Sequence, residues 1–177
     1  MKLALALLCA LAATLSAADQ TGAESAKKPV AASIETKGPK DDADPIGNVK
    51  VTYEDGTTDS WTTKGNCGQA HVSSDGTVGW VIYEPEQKIR ASYTVRPCRE
   101  IVLCRKGKIV ARLKSAQPFI EEWQFQKNGT QVAASAMFAH GPSFYTLYDA
   151  ATGKVLAEAK SLDETIPAWA KPLHKDN

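Results

Sequence analysis

His71-Val-Ser-Ser-Asp-Gly-Thr77, followed by the apolar run Val78-Gly-Trp-Val-Ile-Tyr83, returns later in the chain as Gln124-Phe-Gln-Lys-Asn-Gly-Thr130, followed by Gln131-Val-Ala-Ala-Ser-Ala-Met137. Each copy leads into a second hairpin signal. The first is Ile101 to Ala111 around Lys106-Gly107; the second is Tyr145 to Ala157 around Asp149-Ala-Ala-Thr-Gly153. Both units therefore read as hairpin, loop, hairpin, a four-stranded element repeated once. Asp-Gly and Asn-Gly sit where a tight turn needs a residue of positive φ.

Working outward, Val49, Val51 and Tyr53 alternate, Glu54-Asp55-Gly56 turns, and Thr57 to Thr62 returns with Trp61, which predicts a hairpin over 48–62. In the first unit, strands are expected over 69–73, 77–84, 100–105 and 108–114. In the second they are expected over 119–126, 130–137, 143–149 and 154–160. Val78, Trp80 and Ile82 alternate with Gly79, Val81 and Tyr83, so both faces of that strand are apolar and it belongs in the interior. The segments 86–99 and 138–142 read as loops. Ser161-Leu-Asp-Glu164 and Pro167-Ala-Trp-Ala170 suggest a tail over 161–177 with a short helix.

Leu147-Tyr-Asp-Ala-Ala-Thr-Gly-Lys-Val-Leu156, preceded by Trp123-Gln-Phe125 and Asn128-Gly-Thr130, resembles a blade of the WD40-like and YVTN-type β-propeller families. The run from Cys67 to Trp80 is similar to a group of small secreted bacterial proteins. The resemblance covers about 48–160 and implies blades that bind proteins or ligands on one face. A closed propeller needs about four to eight blades; a hairpin plus two units amounts to far fewer. The expected fold is all-β, with about ten antiparallel strands arranged as two propeller-like four-stranded units plus an N-terminal hairpin. A monomeric sandwich or stack is favoured over a closed ring. An open curved array and a homodimer that closes a ring are the alternatives.

Lys2, the apolar stretch Leu3 to Leu15 and Ser16-Ala-Ala18 have the pattern of a cleavable signal peptide over 1–18, which places the mature protein in a periplasmic or extracellular compartment. No later segment approaches the ~20 apolar residues of a membrane span. Residues 19–47, rich in Ala, Lys, Asp, Ser and Pro, read as a disordered linker. Subtracting Lys2 from 21 basic residues leaves 20 against 20 acidic ones, so net charge points to neither nucleic acid nor membrane. The distribution is uneven: the first unit is basic from Lys88 to Lys114, and the second is acidic from Glu121 to Glu164. A polyanion partner or attraction between unlike units of two chains would use that split. The arginines lie on several strands and a loop, which argues against sequence-specific nucleic-acid readout.

Cys67, Cys98 and Cys104 are the thiols beyond the leader, and export favours one disulfide. Cys67–Cys98, which would tie the two hairpins of the first unit, is favoured over Cys98–Cys104, whose members lie along one extended segment. His71, His140 and His174 show no metal-ligand spacing, and no motif for a cofactor is present. The sequence therefore points to an exported, non-enzymatic binding module, with no catalytic residue, metal or cofactor. Its partner would be a protein or an envelope polymer. Contacts are expected from the two long loops through Arg90, Tyr93, Arg96, Phe138 and His140. The alternatives are a hydrolase using Cys67 as nucleophile, and a structural component of the cell envelope.

Overall fold

The computed structural model describes residues 27–36, 47–61, 66–90, 93–138, 140–163 and 165–174; the leader over 1–18 lies outside them. Thirteen strands form among the described residues, all in antiparallel sheets that close neither a barrel nor a ring. Three strands come first: β1 (Pro29–Thr36), β2 (Gly47–Tyr53) and β3 (Thr58–Trp61). A meander follows through β4 (Asn66–Val72), β5 (Val78–Tyr83), β8 (Glu100–Arg105) and β9 (Lys108–Lys114). The small hairpin β6 (Gln87–Arg90) and β7 (Tyr93–Val95) interrupts it. The second meander is β10 (Phe119–Gln126), β11 (Gln131–Met137), β12 (Phe144–Asp149) and β13 (Val155–Lys160).

Residue alternation turns these strands into a layered stack. β2 buries Val49, Val51 and Tyr53 on one face and turns Asn48, Lys50 and Thr52 outward. It shares only the pair Gly47 with Cys67 with β4, so β1, β2 and β3 split away as a wing. The wing's apolar face, with Trp61, meets Cys67, Val78, Trp80, Val102 and Cys104 of the central meander. The opposite face of that meander presents Val81, Ile101, Leu103 and Leu113. These pack on Ile120, Trp123, Val132, Ala134 and Tyr148 of the second meander. The far face of the second meander (Ala133, Tyr145, Leu147, Ala159) is covered by Ala170 and Leu173 of the C-terminal segment. β5 is apolar on both faces because it has a layer on either side, as its sequence predicts.

Close approach of the two meanders depends on one glycine. A Cβ built on Gly79 would lie 2.4 Å from the Trp123 ring and 2.8 Å from a Leu103 methyl, inside any tolerable contact. The indole of Trp123 fills that space and donates to the Gln69 carbonyl at 2.9 Å. Gln69 adopts φ +49° at a register shift in β4, and that bulge turns its carbonyl toward β10.

The structure corrects four expectations. Residues 29–36 are not linker but strand β1, paired along β2. Their few apolar residues suffice because β2 supplies the backbone partners, while Ala32 and Ile34 pack on the wing core. The loop over 86–99 contains the β6–β7 hairpin, which with β1 raises the strand count from ten to thirteen. The terminal helical turn is a short 3-10 segment, Lys171–Leu173, later than the capping pattern suggested.

The fourth correction concerns the cysteines. Among the described residues no disulfide forms; Cys67, Cys98 and Cys104 are buried thiols. Cys67 lies between wing and central meander, whereas Cys98 lies on the opposite side of that sheet. Cys104 shares the face of Cys67 but pairs opposite Val78, while Cys67 pairs opposite Ile82. Those positions are separated by about 13 Å along β5 at ~3.3 Å per residue, against the roughly 7 Å limit for bridged Cα atoms. Burial pushes the Cys104 thiol up to about 11, against the opposing effect of a Gly107 backbone hydrogen bond. The expected result with a thiol reagent is no reaction of these three residues in the native protein and full reaction after unfolding. A melting temperature that falls on adding a reductant would show that a disulfide had formed after all.

Candidate functional site

The meander topology sorts the connections to two ends of the stack. At one end lie the long connections. Cys98 forms a parallel bridge with Phe119, closed by Cys98 N–H to Pro118 O (2.9 Å) and Ile120 N–H to Cys98 O (3.0 Å). Phe119 in turn pairs with Met137. This chain of pairs brings 84–99 beside 138–143, so the two segments expected to carry contacts meet at one end.

The five residues expected there differ in what they offer. Phe138 is 65% exposed, the most exposed aromatic among the described side chains, and His140 is exposed beside it. Arg96 is tied to Glu86 in an ion pair, so part of its charge is already compensated. Arg90 and Tyr93 are backbone partners in the β6–β7 hairpin; their side chains lie outside the described residues.

At the opposite end lie the tight turns, and here the structure assembles a cleft that sequence reasoning missed. It encloses about 170 Å³ and is lined by Lys27, Lys28, Tyr53, Trp61, Arg105 and Lys106 among others. Lys27 pairs with Asp55, whose exposed carboxylate is held well below its ordinary range, first by that contact and then by bonds from Thr57. Arg105 pairs with Asp75 and donates from Nε to Thr77 Oγ1 at 2.9 Å. Trp61 is buried, and among the described residues its indole nitrogen has no hydrogen-bond acceptor. The available signal was Lys106-Gly107 inside a basic run; Lys27 and Lys28 fell in the segment read as linker.

A third polar group joins the meanders. Gln69 Nε2 donates to Glu121 O (3.0 Å), Ser143 Oγ donates to the Glu121 carboxylate (2.8 Å), and Tyr145 Oη contacts His174 Nδ1 (2.7 Å). Partial desolvation lowers the pKa of His71, opposed by Glu122, and its ring stands edge-on to Trp123 at 4.7 Å. These contacts fix sheet to sheet and sheet to tail. Cys67, the candidate nucleophile, is wholly buried in the wing core, which leaves a substrate no path to its sulfur. Among the described residues no cluster of three metal-ligating side chains occurs, and no helix is long and apolar enough to cross a membrane.

No known protein family, characterised protein or solved structure matches this chain.

Proposed function

We propose that this chain is an exported binding module whose long-loop end engages a partner protein or an envelope polymer. The observation that carries the reading is the convergence of 84–99 and 138–143 at one end of a layered, hydrogen-bonded scaffold, with Phe138 held out at the tip. A large exposed aromatic on a connection anchored by strands is the kind of residue that dominates a contact surface. The leader pattern supports export. The two meanders are read as blade-like units, in keeping with the turn motifs they carry.

The outer faces of the stack support action as a single chain. The wing turns Asn48, Lys50 and Thr52 outward, and the C-terminal segment covers the other terminal layer. Among the described residues the exposed apolar side chains on and beside the edge strands, such as Val30, Val155, Leu156 and Leu162, are few, which favours a single chain over a ring closed by a second copy.

A photo-crosslinking side chain at position 138 is expected to capture a discrete partner in the cells that make the protein. The same group at position 151, in a turn at the opposite end, should not. In the isolated complex, Phe138→Ala should weaken association roughly thirtyfold, the effect of losing a central anchor worth about 2 kcal/mol. Equal capture from both positions would remove the loop end from consideration.

A further inference from the structure

We infer that the cleft at the turn end is a second binding site, one that takes a compact anionic head group, phosphate or carboxylate, borne on an apolar ring. It is independent of the long-loop surface, since the two lie at opposite ends of the strands.

The charge in the cleft is unevenly committed. Lys27 and Arg105 each have a carboxylate partner, Asp55 and Asp75. Lys28 and Lys106 have none among the described residues, so two of the lysines that line one small opening carry charge that no carboxylate pairs with. Cations gathered at a concave surface raise the local potential and favour an anion there. The remaining wall is apolar and aromatic, supplied by Pro29, Tyr53 and Trp61. A bare hydrated ion would leave that wall unused; a ring attached to the anion would cover it. The cleft is small, about 170 Å³, which suits a compact head group with part of its ring and not an extended ligand.

Two further features bear on a ligand. Among the described residues the Trp61 indole N–H is buried without an acceptor, as is that of Trp80 behind it, and of the two only Trp61 lines the cleft, so its N–H is the one a ligand oxygen could reach after a shift of the ring. Lys106 occupies the first central position of a two-residue hairpin turn with φ +49°, followed by Gly107 at φ +72°. Such a turn favours Asn or Gly at the first position, and a lysine is strained there. The turn holds Lys106 at the mouth of the cleft at a cost to the fold, a pattern that strain at binding sites commonly follows.

The test uses the full chain labelled with nitrogen-15 and titrated with phenyl phosphate, benzoate and inorganic phosphate. Phenyl phosphate or benzoate is expected to shift the Trp61 indole resonance saturably, and which of them binds tighter names the head group. Inorganic phosphate should bind at least about tenfold more weakly, because the apolar wall then contributes nothing. Lys106→Asn should raise the melting temperature by about 2–4 °C, by relief of the turn. The same substitution should weaken binding about fivefold or more, and adding Lys28→Gln should weaken it further. Since the asparagine variant is expected to be the more stable protein, misfolding cannot mimic the loss. The inference is overturned if neither ring compound saturates, if inorganic phosphate binds equally well, or if Lys106→Asn stabilises the fold without touching affinity.

Discussion

Trp123→Ala is expected to cost about 3–5 kcal/mol of folding stability, the range for truncating a large buried aromatic. Against a domain total of about 5–15 kcal/mol, that is enough to leave much of the protein unfolded near its growth temperature. Trp123 is 2% exposed and lies between the two meanders. Its ring covers Gly79 of β5, stands edge-on to His71 and to Phe125, and donates its N–H to the Gln69 carbonyl. Removing it opens a cavity beneath a glycine that has no side chain to collapse into the space, and strands a carbonyl in β4. The unfolding midpoint in urea reads the loss directly. The complementary change, Gly79→Ala, forces a methyl into the ring and should cost about 1–3 kcal/mol by overpacking. The two substitutions are neighbours and should not add: in the double variant the new methyl enters the space the indole vacated. A strictly additive double variant would mean that Trp123 does not rest on Gly79.

The sequence made the meanders readable because each tight turn carries a chemical marker. Gly76, Gly107, Gly129 and Gly153 all adopt positive φ, and the strands on either side alternate as half-buried strands must. β5 could be placed in the interior since its two faces are apolar independently of any partner. β1 could not be found that way. An edge strand with Ala32 and Ile34 as its main inward residues gains stability from β2, which lies far along the chain. The β6–β7 hairpin was hidden for a related reason: the sequence places no glycine or proline between Arg90 and Tyr93. The cysteine pairing failed on sidedness. Cys67 and Cys98 look close when hairpins are drawn in sequence order, yet a sheet one layer thick separates them. The cleft was least legible, because its lining comes from the segment before β1, the wing strands and two separate hairpin turns, and only the stacking of wing on meander brings them together.

Asp75→Ala is expected to cost about 2 kcal/mol of folding stability. The carboxylate accepts from the Ser73 hydroxyl and from the Thr77 backbone N–H at 3.0 Å, and it pairs with Arg105 across the β8–β9 turn. Gly129, from the first hairpin of the second meander, approaches so closely that a Cβ there would lie 3.3 Å from the same carboxylate. One side chain therefore ties its own turn to Arg105 at the end of β8, with the Gly129 turn packed closely beside it. Hydrogen bonds to a charged acceptor contribute about 1.5–3 kcal/mol when buried. Because Asp75 is partly exposed, its ion pair with Arg105 adds less than about 1 kcal/mol, and the total stays near the lower end. Asp75→Asn keeps an oxygen for the Thr77 N–H and should recover about half of the loss. Acid separates the charge from the shape. Burial alone would raise the Asp75 pKa, but the bonds from Ser73 and Thr77 and the charge of Arg105 outweigh it, and the net shift is downward. A carboxylate with a lowered folded pKa stabilises the fold fully above its unfolded value of about 3.9, and that stabilisation is lost as pH falls through the folded value. The stability gap between the natural chain and Asp75→Asn should accordingly be constant from neutral pH down to about pH 5, then close in more acidic solution. A gap that persisted unchanged at the acid end would show that the asparagine is costly for its geometry alone, and that the Asp75 charge contributes nothing to holding the turns together.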